Sequence, residues 1–465
     1  MNMDILFINP PWHKQSGNIW KDVSACMPPF GLALLASLAR EKGFSVFILD
    51  CNAQHIGLDI IKENLPEEHP RFIGITATTV LIENALALAK IVKKKYPKTK
   101  IIIGGVHATV HPKEILNHQE IDYVVLGEGE HSFLDLLSNK NPRTIKGIGF
   151  KERGQIIINP SQETIVDINI FPSLPYDLLP MDKYYPAMGS YQRKPSFGMI
   201  TSRGCPGRCT YCKGNLLGDK IRFISAERIV KEIIYLQENY GIRDITFYDD
   251  TFTSNKQRVK DFCSLLKEKK LDLTWCCFAR VDTVDYEMLK EMREAGCYQI
   301  LYGIESASSE ILENIKKRIT LDRVEKAIKD TKKADIEVRL SFMIGNPGET
   351  EETIKKTIKY AIYLDPDLVS FNITTPYPGT EMFEWAKGKN ILLHKDWTRY
   401  NFADPVMDLP TVSSSKIKEY YKKAHRQFYF RPKYILKRIR KIKSLDDFRR
   451  NFGPFISLLK FNIGK

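Results

Sequence analysis

The feature that most constrains this 465-residue chain is a group of three cysteines in one short loop. Cys205, Cys209 and Cys212 follow a C-x-x-x-C-x-x-C spacing, directly after the apolar, strand-like stretch 197–201. Structural zinc sites usually use paired cysteines or mixed Cys and His ligands, and an ordinary [4Fe-4S] cluster takes four cysteines. Three thiolates with no fourth ligand nearby therefore predict a cluster with one iron open to a reactant, and a zinc loop is the alternative.

The cysteine loop, with Tyr211 directly before its last cysteine, resembles that of the radical S-adenosylmethionine (SAM) enzymes. The resemblance implies that the open iron chelates the amino and carboxylate groups of SAM, and that reductive cleavage yields a 5′-deoxyadenosyl radical. It implies an external low-potential electron donor. It also makes Cys205, Cys209 and Cys212 both the metal ligands and the catalytic residues.

Composition agrees with a large intracellular enzyme. The chain is long enough for two or three domains with full cores. Its other cysteines stand in apolar contexts, which fits a reducing compartment better than a disulfide framework. There is no basic segment before the first apolar run, and no window approaches about 18 uninterrupted apolar residues, so we expect a cytoplasmic protein without a bilayer span.

The first 140 residues alternate short apolar runs with stretches of helical periodicity, such as 31–42 and 81–94. This alternation predicts a doubly wound, Rossmann-like parallel sheet, whose ligands bind beyond the carboxyl ends of the strands. The predicted strands are 5–8, 46–49, 72–75, 101–103 and 123–126.

Polar and glycine-containing turns follow these strands at 9–12, 76–79, 104–109 and 127–130. With 28–36, they resemble the cobalamin-binding domain that precedes the radical SAM domain in one large class of these enzymes. That class includes the anaerobic magnesium-protoporphyrin monomethyl ester cyclase and lipid C-methyltransferases. The resemblance implies cobalamin contacts by Thr76, Gly104, Gly105, His107, Thr109, Gly127, Glu128 and Gly129.

The loop after the first strand lacks the D-x-H-x-x-G motif whose histidine binds cobalt in many cobalamin domains. We therefore expect no protein imidazole on cobalt. His55 follows another strand with the wrong spacing and is expected to be a loop residue. For His107, a structural role and a cofactor contact are both open. A nucleotide site at Gly104 and Gly105 is disfavoured because no G-x-G-x-x-G follows a strand.

The segment 141–194 is predicted to be a hairpin at 147–159 followed by an ordered linker, since the aromatics of the linker need burial. Residues 195–385 again alternate strands and helices and predict a partial (β/α)6 barrel, with its chemistry at the carboxyl ends of the strands. The six predicted strands are 197–201, 244–248, 273–278, 299–303, 338–343 and 368–373.

The family resemblance implies a SAM site at these strand ends. We assign Glu305 to the ribose or the ammonium group of SAM and Asp250 to its methionine end, with Tyr211 nearby. Arg280 and Arg339 are candidates for the SAM carboxylate, because a guanidinium pairs well with a carboxylate. An ion pair at the barrel rim is the alternative for each charged residue. The turn 345–349 is expected to bring backbone close to adenine.

The last segment, 386–465, is predicted to be mainly helical and strongly basic. The net charge of the chain is +14, and residues 411–465 contribute sixteen Lys and Arg against three acidic residues. A basic amphipathic helix is expected at 416–427, with further apolar stretches at 435–442 and 452–459. Peripheral contact with an anionic membrane is favoured over nucleic acid, since no RNA-binding module is evident. A helix packed on the barrel is the third possibility.

These features lead to the hypothesis of a cobalamin-dependent radical SAM enzyme that modifies an unactivated carbon of a hydrophobic substrate, by C-methylation in the first instance. The tail alone suggests a lipid-like or tetrapyrrole substrate. Ring closure, oxidation or rearrangement is the alternative within enzymes. A methylthiotransferase is disfavoured because the first 150 residues hold only Cys26 and Cys51. A non-enzymatic iron-sulfur or cobalamin sensor that contacts nucleic acid is the rival from another class.

Overall fold

Two sheets, one mainly and one entirely parallel, dominate the computed structural model, which describes residues 3–12, 24–218 and 220–442. The first sheet has seven strands in the order β2-β1-β3-β4-β5-β6-β7, of which the first five are parallel. Their apolar runs are almost continuous because helices cover both faces of the sheet. The strands are β1 Ile5–Asn9, β2 Val46–Asp50, β3 Phe72–Thr76, β4 Lys100–Gly104, β5 Tyr123–Val125, β6 Ile148–Glu152 and β7 Gln155–Ile158.

The helices between these strands place small and aliphatic side chains against the sheet. Leu32, Ala33 and Ala36 of the first helix are buried, and so are Ala85 and Leu88 of the third. The helices of this region are α1 Phe30–Glu41, α2 Ile61–Asn64, α3 Ile82–Lys95, α4 Val106–Val110, α5 Pro112–Leu116 and α6 Glu130–Leu137. His55 lies in an exposed turn, as expected.

The predicted hairpin is present, and it extends the first sheet instead of standing apart as a connector. β6 pairs antiparallel with β5, and β7 pairs with β6. Arg153 and Gly154 form the turn with φ values of 48° and 78°, as the two-residue hairpin turn requires. The sheet therefore continues past residue 140 to residue 158.

The linker that follows, 160–194, is ordered by the burial of its aromatic side chains. Phe171, Tyr176 and Tyr184 are at most 8% exposed. The hydroxyl of Tyr184 donates to Asp50 Oδ2 at 2.9 Å, so the linker is joined to the end of β2.

The second sheet has six parallel strands in the order β8-β11-β12-β13-β14-β15 and forms an open, partial barrel. The predicted strands are all present, displaced by at most a few residues at their ends. They are β8 Ser196–Met199, β11 Asp244–Phe247, β12 Thr274–Ala279, β13 Cys297–Glu305, β14 Glu337–Ile344 and β15 Leu368–Ile373. A separate antiparallel ribbon, which was not predicted, consists of β9 Ser202–Arg203 and β10 Arg222–Phe223.

Helices pack outside the barrel sheet, and a cluster of aromatic rings fills the space between these helices and the sheet. Trp275 is fully buried and lies within 6 Å of the ring centroids of Phe247, Phe252 and Phe262. The helices of this region are α7 Ala226–Tyr240, α8 Lys256–Glu268, α9 Tyr286–Glu294, α10 Ser309–Asn314, α11 Leu321–Lys333, α12 Glu351–Leu364 and α13 Glu381–Gly388.

The chain beyond the barrel folds back onto it. The basic helix predicted at 416–427 is α14 Ser414–Tyr429, and it buries Ile417, Tyr421 and Phe428 in the barrel core. A shorter helix, α15 Pro432–Arg440, follows. The apolar stretch 452–459 lies outside the described residues. Among the helices that the structure describes, none has the length and apolar character needed to span a bilayer.

Trp275→Ala should destabilise the protein by about 3–5 kcal/mol, because it leaves a cavity in the densest part of the barrel core. Its indole also donates to the carbonyl of Ala295 at 2.8 Å, a bond that the variant loses. Tyr363→Ala is the matched control, since this ring is 68% exposed and its removal should change stability by less than about 0.5 kcal/mol. Urea unfolding followed by circular dichroism measures both, and equal midpoints for the two variants would contradict the packing described.

Candidate functional site

A cavity of about 1380 Å³ lies between the two sheets and is lined by residues from both. The first domain contributes the loops after β3, β4 and β5, and the barrel contributes its cysteine loop and strand ends. Sites for single small ligands are about 300–1,000 Å³, so this space is large enough for more than one ligand. The predicted site residues in its wall are Thr76, Gly104, Gly105, Gly127, Glu128, Gly129, Tyr211, Cys212, Asp250 and Glu305.

Glycines form the wall on the side of the first domain. A Cβ on Gly127 would meet no atom within 4 Å, and one on Gly104 would meet only Val125 at 3.9 Å, so bare backbone faces the cavity. Gly105 has φ of 103°, and a Cβ there would lie 2.7 Å from the carbonyl oxygen of Ala77. Such a surface suits a large flat ligand that approaches the backbone closely.

Thr109, which was predicted to contact cobalamin, supports this wall without lining the cavity. Its hydroxyl donates to the carbonyl of Gly105 and accepts from the N–H of Gly127, both at 2.9 Å. Thr109 thereby holds the glycine turns after β4 and β5 together.

His107 does not line the cavity. Its ring is fully buried, with Nδ1 3.4 Å from the hydroxyl of Thr79. The ring centroids of His111 and Trp397 both lie 5.3 Å away. Trp397, from the segment after the barrel, donates to Glu114 Oε1 at 2.9 Å, so His107 belongs to a contact between the first domain and that segment.

Glu128 lines the cavity, but its carboxylate is engaged by two arginines of the second domain. It accepts from Arg203 at 2.5 Å, from Arg222 at 2.7 Å and from the N–H of Ile165 at 2.9 Å. Arg203 also pairs with Glu130 at 2.5 Å. Burial raises the pKa of Glu128, but the bonds from Arg222 and Arg203 outweigh it and leave this pKa below its ordinary value.

Glu128, Glu130, Arg203 and Arg222 form what we call the Glu128 clasp. Arg203 and Arg222 face each other in the β9–β10 ribbon, which brackets the cysteine loop. One carboxylate therefore holds both ends of the cysteine loop to the glycine turn after β5. The sequence offered no sign of this arrangement apart from the position of Arg203 two residues before Cys205.

The cysteine loop brings its three thiols together around two glycines. A Cβ on Gly207 would lie 3.4 Å from the sulfur of Cys205 and 3.7 Å from that of Cys209. A Cβ on Gly214 would lie 2.9 Å from the Cβ of Cys205 and 3.7 Å from the sulfur of Cys212. The loop packs tightly around Gly214, where a Cβ would clash, whereas a Cβ on Gly207 would make ordinary van der Waals contacts with the two sulfurs.

Cys212 is the exposed member of this group, and it faces the cavity. Although this residue is open to the cavity, the surrounding protein desolvates its thiol and raises the pKa to about 11, and the carboxylate of Asp250 and the other two thiols add to the effect. Bound iron would offset this, since a metal ligand must be the thiolate. Within the described ranges, no three His, Cys, Asp or Glu side chains are placed to hold a single metal ion.

Glu305 stands at the end of β13 in the left-handed region, with φ of 72°. Its carboxylate accepts from the ammonium of Lys317 at 2.8 Å and from the hydroxyl of Tyr211 at 3.2 Å. A Cβ on Gly303 would lie 2.5 Å from Glu305 Oε1, so glycine at that position leaves room for the ion pair. Lys317 is a site residue that the sequence analysis missed, because it follows a helix instead of a strand.

Asp250 is exposed toward the cavity, whereas Asp249 beside it is buried and serves the fold. Partial enclosure raises the pKa of Asp250, and the charge of Asp249 raises it further. Asp249 accepts from the hydroxyl of Thr201 at 2.6 Å and from Arg258 at 3.3 Å, which secures the start of the cysteine loop.

The two arginines predicted for the SAM carboxylate do not line the cavity. Arg280 pairs with Asp282 at 2.9 Å, and its guanidinium lies beside Gly207 of the cysteine loop. Arg339 donates to the hydroxyl of Ser190 in the linker. Arg280 thus makes an ion pair of the kind considered as the alternative, whereas Arg339 is bonded to a neutral hydroxyl.

The turn 345–349 is organised by its own carboxylate. Glu349 is fully buried and accepts from the N–H groups of Gly345 at 2.6 Å and Asn346 at 3.0 Å. Burial raises the pKa of Glu349 to about 7. The turn is thus a rigid, buried element behind the barrel rim.

Comparison with known proteins accounts for this two-sided cavity. Sequence profiles of the B12 binding domain and of the radical SAM superfamily match residues 19–137 and 199–361. An uncharacterized methyltransferase of Pyrococcus horikoshii is 39% identical over 443 residues, which cover 94% of this chain and 95% of that relative. The chain belongs to the radical SAM superfamily and carries a B12-binding domain. Its predicted cofactors, a [4Fe-4S] cluster, SAM and cobalamin, are those of this family of enzymes.

More distant members share the same architecture. The anaerobic magnesium-protoporphyrin IX monomethyl ester cyclase of Cereibacter sphaeroides is 27% identical over 444 residues, covering 92% of this chain and 71% of the relative. The solved structure of the cobalamin-dependent radical enzyme OxsB, with aqua-cobalamin and SAM bound, has a TM-score of 0.76. It is 16% identical, and the match covers 98% of this chain and 72% of that one, which shows a common fold.

Glu128→Gln should destabilise this radical SAM protein by about 3–5 kcal/mol, because it leaves the buried Arg222 without a countercharge. Since the pKa of Glu128 lies below its ordinary 4.5, the stabilisation is fully present above pH 4.5 and is lost as the pH falls through the lowered pKa. Thermal unfolding measured from pH 8 down to pH 2 tests this, because the loss is expected below pH 4.5. Glu152→Gln, which removes an exposed ion pair with Arg143, is the control and should change nothing measurable. Identical unfolding of the two variants at pH 7 would rule out the clasp.

Proposed function

We propose that this protein is a cobalamin-dependent radical SAM enzyme that methylates an unactivated carbon of a hydrophobic substrate. One observation carries the proposal, namely that the glycine wall of the B12-binding domain and the cysteine loop of the barrel line the same cavity. A substrate held between them would be in reach of both cofactors. Domains 1–140 and 195–385 then each supply one cofactor site. The segment 141–194 joins them, and the described part of the last segment, 386–442, packs against them.

In this proposal, the cluster is held by Cys205, Cys209 and Cys212, and cobalamin lies on the bare backbone of the glycine turns. When bound, the cluster and SAM supply a radical that abstracts hydrogen, cobalamin supplies a transferable methyl group, and an external low-potential donor supplies electrons. The chain contributes positioning and the exclusion of water from the reacting carbon.

The SAM-binding groups in the proposal are Asp250, Glu305 and Tyr211. Asp250 lies next to Cys212 and faces the cavity, so it is placed to accept from the SAM ammonium. Glu305 would take the ribose hydroxyls while Lys317 compensates part of its charge. Of the two predicted arginines, Arg280 lies beside the cysteine loop, which supports it over Arg339 as the candidate for the SAM carboxylate.

The hydrophobic substrate is supported by large apolar side chains that are exposed because they face the cavity. Met27, Val106, Ile200 and Phe402 are each more than a third exposed, and each lines this space. Relatives include a cyclase of a tetrapyrrole ester and the hopanoid C-3 methylase of Methylococcus capsulatus. Ring closure is accordingly the second candidate reaction.

The test is an anaerobic reaction of the reconstituted enzyme with cobalamin, SAM carrying a deuterated methyl group, and an apolar solvent extract of cells. We expect 5′-deoxyadenosine together with an extract component that gains the labelled methyl. Cys212→Ala should abolish both products, whereas Cys263→Ala, a buried cysteine in α8, should retain them. Release of 5′-deoxyadenosine without any labelled product would exclude methylation and favour the cyclase alternative.

We also propose peripheral membrane contact through α15. The packed helix α14 is not available for it, but Leu436 and Ile439 on α15 are 49% and 57% exposed, next to the exposed Lys433 and Arg440. A surface that joins apolar and cationic side chains is typical of helices that lie on anionic membranes.

Sedimentation with vesicles tests this contact. We expect binding to vesicles containing phosphatidylglycerol, weaker binding at high salt, and little binding to neutral phosphatidylcholine vesicles. The double variant Leu436→Ser/Ile439→Ser should bind less than wild type, and Tyr363→Ser, an exposed site on α12, is its control. Equal binding by wild type and the double variant, or a preference for DNA over anionic vesicles, would overturn the proposal.

A further inference from the structure

The segment 391–408, which we call the strap, closes the cavity beside the last barrel strand. Leu392 and Met407 form an antiparallel bridge near the two ends of the strap, and the residues between them form a loop. Its outer part is anchored on the first domain through Trp397, which packs against His107 and His111. The strap thus crosses from the barrel to the B12-binding domain.

Phe402 in the strap has φ of 64°, a left-handed conformation that a bulky side chain rarely adopts. Its carbonyl accepts from the N–H of Ile373 at the end of β15 at 2.7 Å. Asn401 Oδ1 accepts from the N–H groups of Ala403 at 3.0 Å and Asp404 at 3.1 Å. The strained conformation persists because the bonds on both sides of Phe402 hold the backbone there.

The packing of the ring gives no reason for this strain. Phe402 is 45% exposed, lines the cavity, and touches Tyr377 edge to face with centroids 5.5 Å apart. A residue chosen for stability alone in a left-handed position would be glycine or asparagine. Among the described residues, the lining residues from Ser341 onward are uncharged; most carry a hydroxyl or amide group, whereas Met343, Ile373, Pro378 and Phe402 are apolar. This part of the lining therefore suits a neutral group whose apolar portion meets the ring of Phe402.

We propose that Phe402 contacts the substrate and that its ring forms the wall for the neutral, apolar part of the substrate. The strap keeps the ring there by holding the backbone of Phe402 in its strained conformation. The proposal rests on the proposed function, because it assigns the substrate end of the same cavity. It makes Phe402 a specificity-determining residue outside the predicted barrel.

The test titrates the cobalamin-loaded protein with Nile red, a neutral apolar dye, and follows its fluorescence. Wild type should bind the dye saturably, and Phe402→Gly should bind it about tenfold more weakly, since one face of a phenyl ring no longer covers the dye. Asn390→Gly is the matched control, because Asn390 is also left-handed, with φ of 54°, but lies at the end of α13 and does not line the cavity. It should bind the dye like wild type.

Melting temperatures separate a local effect from unfolding. Phe402→Gly should melt within about 3 °C of wild type, because relief of backbone strain offsets the lost ring contact. Phe402→Asn, which also tolerates the left-handed conformation, should show the same weaker binding and keeps the test valid if the glycine variant folds poorly.

Unchanged dye affinity in both Phe402 variants, or no saturable binding by wild type, would overturn the proposal. Dye binding needs neither the cluster nor SAM. Its failure is therefore distinct from a failure of the radical chemistry, which is read from 5′-deoxyadenosine and labelled product.

Discussion

The geometry of the site depends on the ion pairs that the carboxylate of Glu128 makes with two arginines. This carboxylate is 4% exposed, and it holds Arg203 and Arg222, the residues at the two ends of the cysteine loop. If this contact opened, Glu128 and Arg222 would each be left as a buried charge without its partner, whereas Arg203 would keep its ion pair with Glu130. The distance between the glycine wall and the cysteine loop is therefore set by one set of ion pairs.

The rest of the cavity follows from that arrangement. The first sheet and the barrel present the carboxyl ends of their strands to the same space, where the turns are short and the backbone is accessible. The linker covers one side through buried aromatics, and the strap covers another through Trp397. The enzyme thus encloses a large, mostly apolar volume while its cofactor-facing walls remain on rigid elements.

The strands and most helices could be predicted from the sequence, because a parallel sheet covered on both faces demands continuous apolar runs. The cysteine loop could be predicted as well, because its three cysteines lie close together in the sequence. The partners of Glu128 were not predictable, because they lie 75 and 94 residues further along the chain. For His107 the sequence left a structural role and a cofactor contact open, and its contact with Trp397 was not predictable because Trp397 returns from beyond the barrel. The strained turn at Phe402 has no local sequence signal either, since nothing around it requires a left-handed residue.

The central claim is that cobalamin and the cluster share this cavity, and electron paramagnetic resonance tests it most directly. The measurement compares the microwave power saturation of Co(II) cobalamin in protein with a reduced cluster and in a variant lacking all three loop cysteines. If the two groups lie across one cavity, the nearby cluster should speed relaxation and the cobalt signal should saturate at higher power in wild type. Identical saturation in the two proteins, with cobalamin bound to both, would contradict the account.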